Sequence, residues 1–292
     1  MHGNNVFVIF GPTASGKSDL AKKVSRKYNS PIINFDSLQV YRQLRILSSR
    51  PSIEDEIKID HRLYGVVDGN ENFTVAKWLK LAKIEIESCW KENKVPILVG
   101  GTGLYLKSLM WGISYIPDIS DDTVKQTNAN FNNDGASYLY KTLLEHNKKT
   151  SIRETDTQRL KRSYSLLMET GYSLEDWQVN PKKLFDHVNY KIILLNEDRE
   201  KVYDRAKVRF NKMIDNGAIQ EVEALRREGI DPNKSIMKAI GVREICKYLD
   251  NEFSLDECKN ETVKKTRNYI KRQQTWIKSN NITSNVDFKK YI

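Results

Sequence analysis

The sequence predicts an α/β fold, a parallel sheet flanked by helices and interrupted by a small helical insert domain. Three observations predict it. Short runs rich in β-branched and aromatic residues alternate with longer stretches of helical spacing, the pattern of parallel strands joined by crossover helices. The first of these runs ends in GPTASGKS, a glycine-rich turn between a strand and a helix. Composition then breaks after Trp111-Gly112, becomes polar and Asn-rich, and returns to the alternation near Tyr190.

The elements follow in order. NVFVIF is a first apolar strand and SDLAKKVSRKY a helix. PIINFDS is a second strand, and FTVAKWLKLAKIEIESCWKEN a long amphipathic helix with apolar residues at three- and four-residue steps. VPILVGG is a third strand, followed by the helix TGLYLKSLMWG. Residues 115–187 carry the helical patterns ASYLYKTLLEH and TQRLKRSYSLLMETG but no strand. The alternation resumes with the strand YKIILLN and the helix DREKVYDRAKVRFNKMIDNG, stopped by Gly217. From Ala218 onward the chain reads as helical and ends in the basic VKKTRNYIKRQQTWIK. The economical division is one core, residues 1–114 and 188–292 with a helical C-terminal part, interrupted by an insert over 115–187.

The 292 residues suffice for one large domain or a core with an insert. A composition of 39% hydrophobic and 29% charged residues is that of a soluble globular protein. The net charge of +10 points to an acidic partner without specifying which. Cys89, Cys246 and Cys258 stand apart with no C-x-x-C pair, and the four histidines are scattered, so the spacing predicts no zinc site and free thiols in a reducing compartment. VFVIF is too short for a secretory leader, and no apolar run approaches the roughly 18 residues of a membrane span. A cytoplasmic chain without membrane association is expected.

Gly11, Pro12, Thr13, Ala14, Ser15, Gly16, Lys17 and Ser18 fit the P-loop pattern in full and in the right context. The glycines let backbone N–H groups converge on one anion, Lys17 adds a point charge, and the helix N-terminus favours negative charge there. Ser18 can offer its hydroxyl to magnesium. The site binds a di- or triphosphate, and the motif by itself does not say whose.

Asp36, in NFDSLQVYR, stands at the carboxyl end of the second strand, where open α/β sheets place ligands. A carboxylate there can bind magnesium, accept a proton from a nucleophile, or simply cap the next turn. In VGGTGLY, Gly100 and Gly101 allow close backbone approach and Thr102 presents a hydroxyl to the same crevice. Arg205 and Arg209 lie one helical turn apart, able to clamp a departing pyrophosphate or to sit on a solvated face paired with acids. TRNYIKRQQTWIK interleaves Arg267, Lys271, Arg272 and Lys278 with Tyr269 and Trp276, a pattern suited to a phosphodiester backbone, to helix packing, or to both on opposite faces.

GPTASGKS, DSLQVYR, GGTGLYLKSLMWG, TQRLKR, AIGVREI and TRNYIKRQQTW, in that order, resemble the tRNA dimethylallyltransferase family, which isopentenylates adenosine 37 beside the anticodon. The matches run from about Val6 to Trp276. The resemblance implies a P-loop kinase-like core with an insert that grips the tRNA anticodon stem-loop. It also implies dimethylallyl diphosphate as co-substrate, with Mg2+, at Gly11–Ser18. Lys17, Thr13, Arg205 and Arg209 would then serve the diphosphate, and Asp36 would be the general base. Asp36, Ser37, Leu38 and Gln39 would contact tRNA, with Thr102 near the reacting adenine. Gln158, Arg159, Leu160, Lys161 and Arg162 in the insert, and Lys271, Arg272 and Gln273 at the end, would complete the tRNA grip. A monomer is expected. The chain departs from the family pattern in Ser18 for Thr, Arg50-Pro51 for Lys-Pro, Val242-Arg243 for an aromatic and Lys, and SYSLLMETG after TQRLKR. The alternative is a P-loop nucleotide or small-molecule kinase, which leaves the basic, aromatic C-terminus without a task. A prenyltransferase of free adenine nucleotides needs neither insert nor basic tail, and a non-catalytic RNA-binding protein needs neither Lys17 nor Asp36.

Overall fold

The structure, a computed structural model, describes residues 4–148 and 150–291. Five strands, β1 (Asn5–Phe10), β2 (Ile32–Asn34), β3 (His61–Arg62), β4 (Ile97–Gly100) and β5 (Asn189–Leu194), form one sheet in the order β3-β2-β4-β1-β5. Every pairing is parallel. β4 lies between β1 and β2, so the turn leaving β1 and the turn leaving β2 open on either side of the end of β4. That is where a doubly wound sheet leaves a crevice.

Alternation along β1 explains why its residues are apolar on both faces. Phe7 and Ile9 join Ile97, Val99 and the helix α1 (Lys17–Tyr28), which contributes Leu20, Ala21 and Val24. On the other side Phe10 stacks on Phe35, and Trp78 of α3 (Val75–Lys91) reaches Phe35 and Tyr105. Trp78 is fully buried, and its indole N–H donates to Asn34 O at 2.9 Å, so the large ring leaves no polar atom unpaired. The short α2 (Ile53–Lys58) precedes β3, and α4 (Gly103–Trp111) follows β4.

The chain divides into two compact units, residues 1–110 with 184–292, and residues 111–183. The second unit is helical: α5 (Asp121–His146), α6 (Thr157–Thr170) and α7 (Leu174–Trp177). Leu139, Leu143, Ile152, Leu160 and Tyr164 make its core. α5 is broken at Gly135, whose φ of 77° and ψ of −178° lie outside helical geometry. This unit explains the polar composition: its core is small, and most of its surface faces water.

The first unit continues after β5 with α8 (Arg199–Asp215), α9 (Ala218–Arg227), a 3-10 turn over Ser235–Lys238, α10 (Val242–Leu249) and α11 (Leu255–Ser279). α11 starts on a reciprocal cap in which Ser254 and Glu257 satisfy each other's backbone N–H groups. A second core gathers Val40, Tyr41, Leu44 and Leu47 against Phe210, Val222, Ile236 and Ile245. Among the described residues no helix is long and apolar enough to cross a membrane, and Cys89, Cys246 and Cys258 are free thiols.

Candidate active site

The loop between β1 and α1 is held in the shape its sequence predicts. Gly16 caps α1 with φ of 86°, in the left-handed region that side chains disfavour. Lys17 folds back over the loop, donating from Nζ to Pro12 O at 2.7 Å. The buried Oγ of Ser15 has no hydrogen-bond partner. An orphaned hydroxyl in a glycine-rich turn at a helix N-terminus is a place for an anion's oxygen.

Around this loop lies a cavity of about 700 Å3. Thr13, Ala14, Ser15, Gly16, Lys17 and Ser18 line it from β1 and α1, Asp36 and Gln39 from the turn after β2, Arg205 and Arg209 from α8, and Gln273 from α11. Residues of four separate segments thus converge at the carboxyl ends of β1, β2 and β4. Ser48, Ser49, Val208 and Lys212 also line it. Lys212 continues the α8 face of Arg205 and Arg209 by one further turn, a spacing visible in the sequence. Ser48 and Ser49 follow no period. Glu221 of α9 places them, its carboxylate accepting from the backbone N–H groups of Arg45, Ile46 and Leu47 at 2.6, 2.7 and 2.9 Å.

The two arginines of α8 differ. Arg209 is half-buried and donates from Nη2 to Thr13 Oγ1 at 2.5 Å. Burial lowers its pKa, and the Asp36 charge opposes that fall. Arg205 is exposed at the rim, where its guanidinium pairs with Glu197 at 3.0 Å. Burial also depresses the Lys17 ammonium to about 8, with Asp36 acting to raise it and Arg209 to lower it further. Asp36 is therefore the carboxylate to which both half-buried cations respond. Its Oδ1 accepts Leu38 N–H at 3.0 Å, and Asn34 holds its backbone by an Oδ1 contact of 2.7 Å to Asp36 N.

Gln273 faces inward. It is 7% exposed; its Oε1 accepts Thr13 N–H at 2.9 Å and its Nε2 donates to Gly101 O at 2.9 Å. A Cβ on Gly101 would stand 2.6 Å from that Nε2, so glycine there makes room for α11 rather than only for a ligand. Thr102 Oγ1 accepts Ser37 N–H at 3.1 Å, linking the turns after β2 and β4. Leu38 borders a second, smaller space of about 70 Å3 beside Thr13, Asp36 and Arg209. Lys271 and Arg272 are exposed, and the Arg272 guanidinium lies 5.7 Å over the Tyr269 ring.

The insert residues sit in the second unit. Gln158 and Arg159 are exposed, whereas Leu160 is buried in that unit's core. The Lys161 ammonium lies 3.8 Å over the Phe131 ring and donates to Asn128 Oδ1 at 3.0 Å. Arg162 is exposed and donates to Pro117 O at 3.4 Å. Of this run, then, Leu160 serves packing, and the charged side chains reach the surface.

Magnesium is tested by the donors on hand. Among the described residues no group of three or more His, Cys, Asp or Glu side chains could hold a metal. Ser18 and Asp36, both hard oxygen donors, line the same cavity as the anion-holding loop. Mg2+ usually keeps several waters and binds through one or two protein oxygens plus substrate phosphates, so this sparse donor set fits it.

The chain is similar to known proteins over nearly its whole length. The family model described as IPP transferase matches residues 39–280. The chain is 39% identical over 278 residues to the tRNA dimethylallyltransferase of Pelagibacter ubique, covering 94% of this chain and 89% of that one. It is 38% identical over 281 residues to that of Rickettsia felis, covering 95% and 91%. Its fold is similar to the full-length tRNA isopentenylpyrophosphate transferase of Bacillus halodurans, with a TM-score of 0.69, 29% identity and 98% and 92% of the two chains covered. A eukaryotic dimethylallyltransferase solved acting on tRNA gives a TM-score of 0.76 at 25% identity, covering 94% of this chain and 70% of that one. With a P-loop cavity at the strand ends and a family match across most of its length, the chain belongs to the IPP transferase family.

Proposed function

We propose that the chain transfers the dimethylallyl group of dimethylallyl diphosphate to the exocyclic N6 amine of adenosine 37 in tRNA, releasing diphosphate. The observation that carries this reading is the meeting of two chemistries in one cavity: an anion cradle with half-buried cations, and the carboxylate of Asp36. A nucleotide kinase would use the same cradle for ATP, but the family match favours the prenyl donor.

The chemistry follows from the residues. The P-loop amides, Lys17 and Arg209 bind the diphosphate and stabilise the charge it gains as the allylic C–O bond breaks and the bonding pair leaves with oxygen. Arg205 adds charge from the rim. Ser18 would hold Mg2+, which when bound neutralises part of the same diphosphate charge. The adenine N6 forms the new C–N bond, and Asp36 accepts the proton that N6 loses. Leaving its stack costs the base a few kcal/mol, least for a loop nucleotide. Leu38, Leu47, Ala206, Phe210 and Met213 give the 70 Å3 space beside Asp36 an apolar side, with Thr262, Thr266 and Tyr269 also lining it, and that apolar side would suit a five-carbon chain.

Thr13 orients Arg209, and Gln39, Ser37 and Thr102 border the turn on which the adenine would arrive. Lys271 and Arg272 on α11, with Gln158, Arg159, Lys161 and Arg162 on α6, are the basic and polar side chains that would contact the tRNA backbone. Gln273 acts on the P-loop rather than on RNA. The free thiols accord with a reducing cytosol.

Asp36→Asn tests the central assignment. It keeps shape and polarity but removes basicity, so kcat falls on the order of 10²–10⁴-fold with tRNA affinity little changed. Activity within a few-fold of the parent would reduce Asp36 to a turn-forming residue.

A further inference from the structure

On the face of α8 turned away from the donor cavity, a second cavity of about 760 Å3 runs between α8 and α11. The partition is helical. Arg205, Val208, Arg209 and Lys212 face the P-loop, whereas Arg199, Tyr203, Lys207 and Asn211 face the groove. None of the chemistry above uses this groove beyond Lys271.

Its walls are strongly basic. Arg199, Lys207, Lys259, Lys264, Arg267 and Lys271 line it with two carboxylates, Glu200 and Asp256, and Lys264 also pairs with Glu261 at 3.0 Å, which leaves an excess of positive charge within a chain of +10. Lys207 and Lys271 are exposed and Lys259 is half-buried, and among the described residues no acid pairs with them. The Arg267 guanidinium lies 5.3 Å over the Tyr203 ring, which keeps an arginine plane and an aromatic face together in the groove. Val263 is the only aliphatic side chain in the lining, so there is no apolar track for an amphipathic helix. The cations are spread along the groove, not gathered as buried donors around one point, which disfavours a small phosphorylated metabolite.

From Lys259 to Lys271, α11 rises by about 18 Å at 1.5 Å per residue. The end marked by Lys271 is two residues from Gln273, which holds Thr13 of the P-loop.

We propose that the α8–α11 groove binds a phosphodiester strand of the substrate RNA, through Lys207, Lys259 and Arg267, and so extends the RNA surface beyond Lys271 and Arg272. This inference rests on the tRNA reading above. It assigns these residues to RNA positioning and to no part of the reaction.

The double variant Lys207→Ala/Lys259→Ala, in the full chain, removes two groove charges without touching the donor cavity. Binding of unfractionated tRNA is measured at several salt concentrations. The log-affinity against log-salt slope flattens by about 1.4–1.8 units, because two fewer counterions are released. KM for tRNA rises, while kcat at saturating tRNA and KM for dimethylallyl diphosphate stay within about twofold. In parallel, lysine acetylation read by mass spectrometry shows Lys207 and Lys259 protected by tRNA and Lys80, exposed on α3, unprotected. An unaltered slope, or equal acetylation with and without tRNA, overturns the proposal even if the parent protein prenylates tRNA. A parent that binds no tRNA instead overturns the reading on which it rests.

Discussion

Replacing Gln273 with leucine tests whether the C-terminal helix holds the P-loop from behind. The side chain spans from α11 to two turns at once, accepting from Thr13 N at 2.9 Å and donating to Gly101 O at 2.9 Å. Leucine fills a similar volume, so little of the effect comes from a cavity. What changes is that one N–H and one C=O lose their partners. Each such group costs about 1–3 kcal/mol, more where water cannot reach it. Gly101 O is buried, whereas Thr13 lines an open cavity, so a total loss of about 2–4 kcal/mol is expected. Thr13 also carries Arg209 on its hydroxyl, so a shift of the loop moves the cation proposed to bind diphosphate with it. A misplacement of about 1 Å can cost on the order of 10²-fold in rate, and kcat/KM for dimethylallyl diphosphate falls accordingly. Urea unfolding and steady-state kinetics are run beside tRNA binding at several salt concentrations, where the slope stays as in the parent. A variant with parental stability and donor kinetics but a flattened salt slope would refute this reasoning and turn Gln273 toward RNA.

Further outcomes follow from the same cavity. The Lys17 ammonium titrates near 8 in the fold and near its ordinary 10.5 when unfolded, so between those values the unfolded chain binds more protons and stability of the donor-free protein rises with pH. Lys17→Met removes this burial penalty: at pH 7 the donor-free variant melts above the parent while donor binding is lost, as calorimetry with and without dimethylallyl diphosphate would record. For the parent, KM for the donor climbs as pH passes about 8, since the neutral amine no longer attracts diphosphate. Arg209→Ala lowers kcat/KM for the donor far more than Arg205→Ala, because the rim pair with Glu197 is exposed and worth about 0–1 kcal/mol. Equal losses in the two variants would remove that distinction.

The parts of the site that were legible in the sequence are those that depend on local spacing. A strand, a glycine turn and a lysine within eight residues specify the cradle, and a carboxylate after the next strand falls beside it because the sheet is parallel. Arg205 and Arg209 were legible as a pair but not as unequal partners. Their difference comes from Glu197 at one and Thr13 at the other, contacts set by tertiary packing. Gln273 sits in a basic run and reads as surface. Only the approach of α11 to Gly101 turns it inward. β3 is two residues long, too short for any period to mark, and α2 exposes most of its residues. In the insert, the stretch before Gly135 carries few apolar residues, so α5 begins earlier than the helical pattern from Ala136 suggests.

The P-loop of this chain is proposed to hold a prenyl donor for transfer to tRNA. The most direct measurement is incubation of the purified protein with Mg2+, tRNA lacking the modification and dimethylallyl diphosphate labelled in its five-carbon chain, with ATP absent, followed by digestion of the tRNA to nucleosides. Label is expected in N6-isopentenyladenosine from the position beside the anticodon, with one diphosphate released per modified residue and no requirement for ATP. Label entering free AMP but not tRNA, or turnover that consumes ATP, would contradict it.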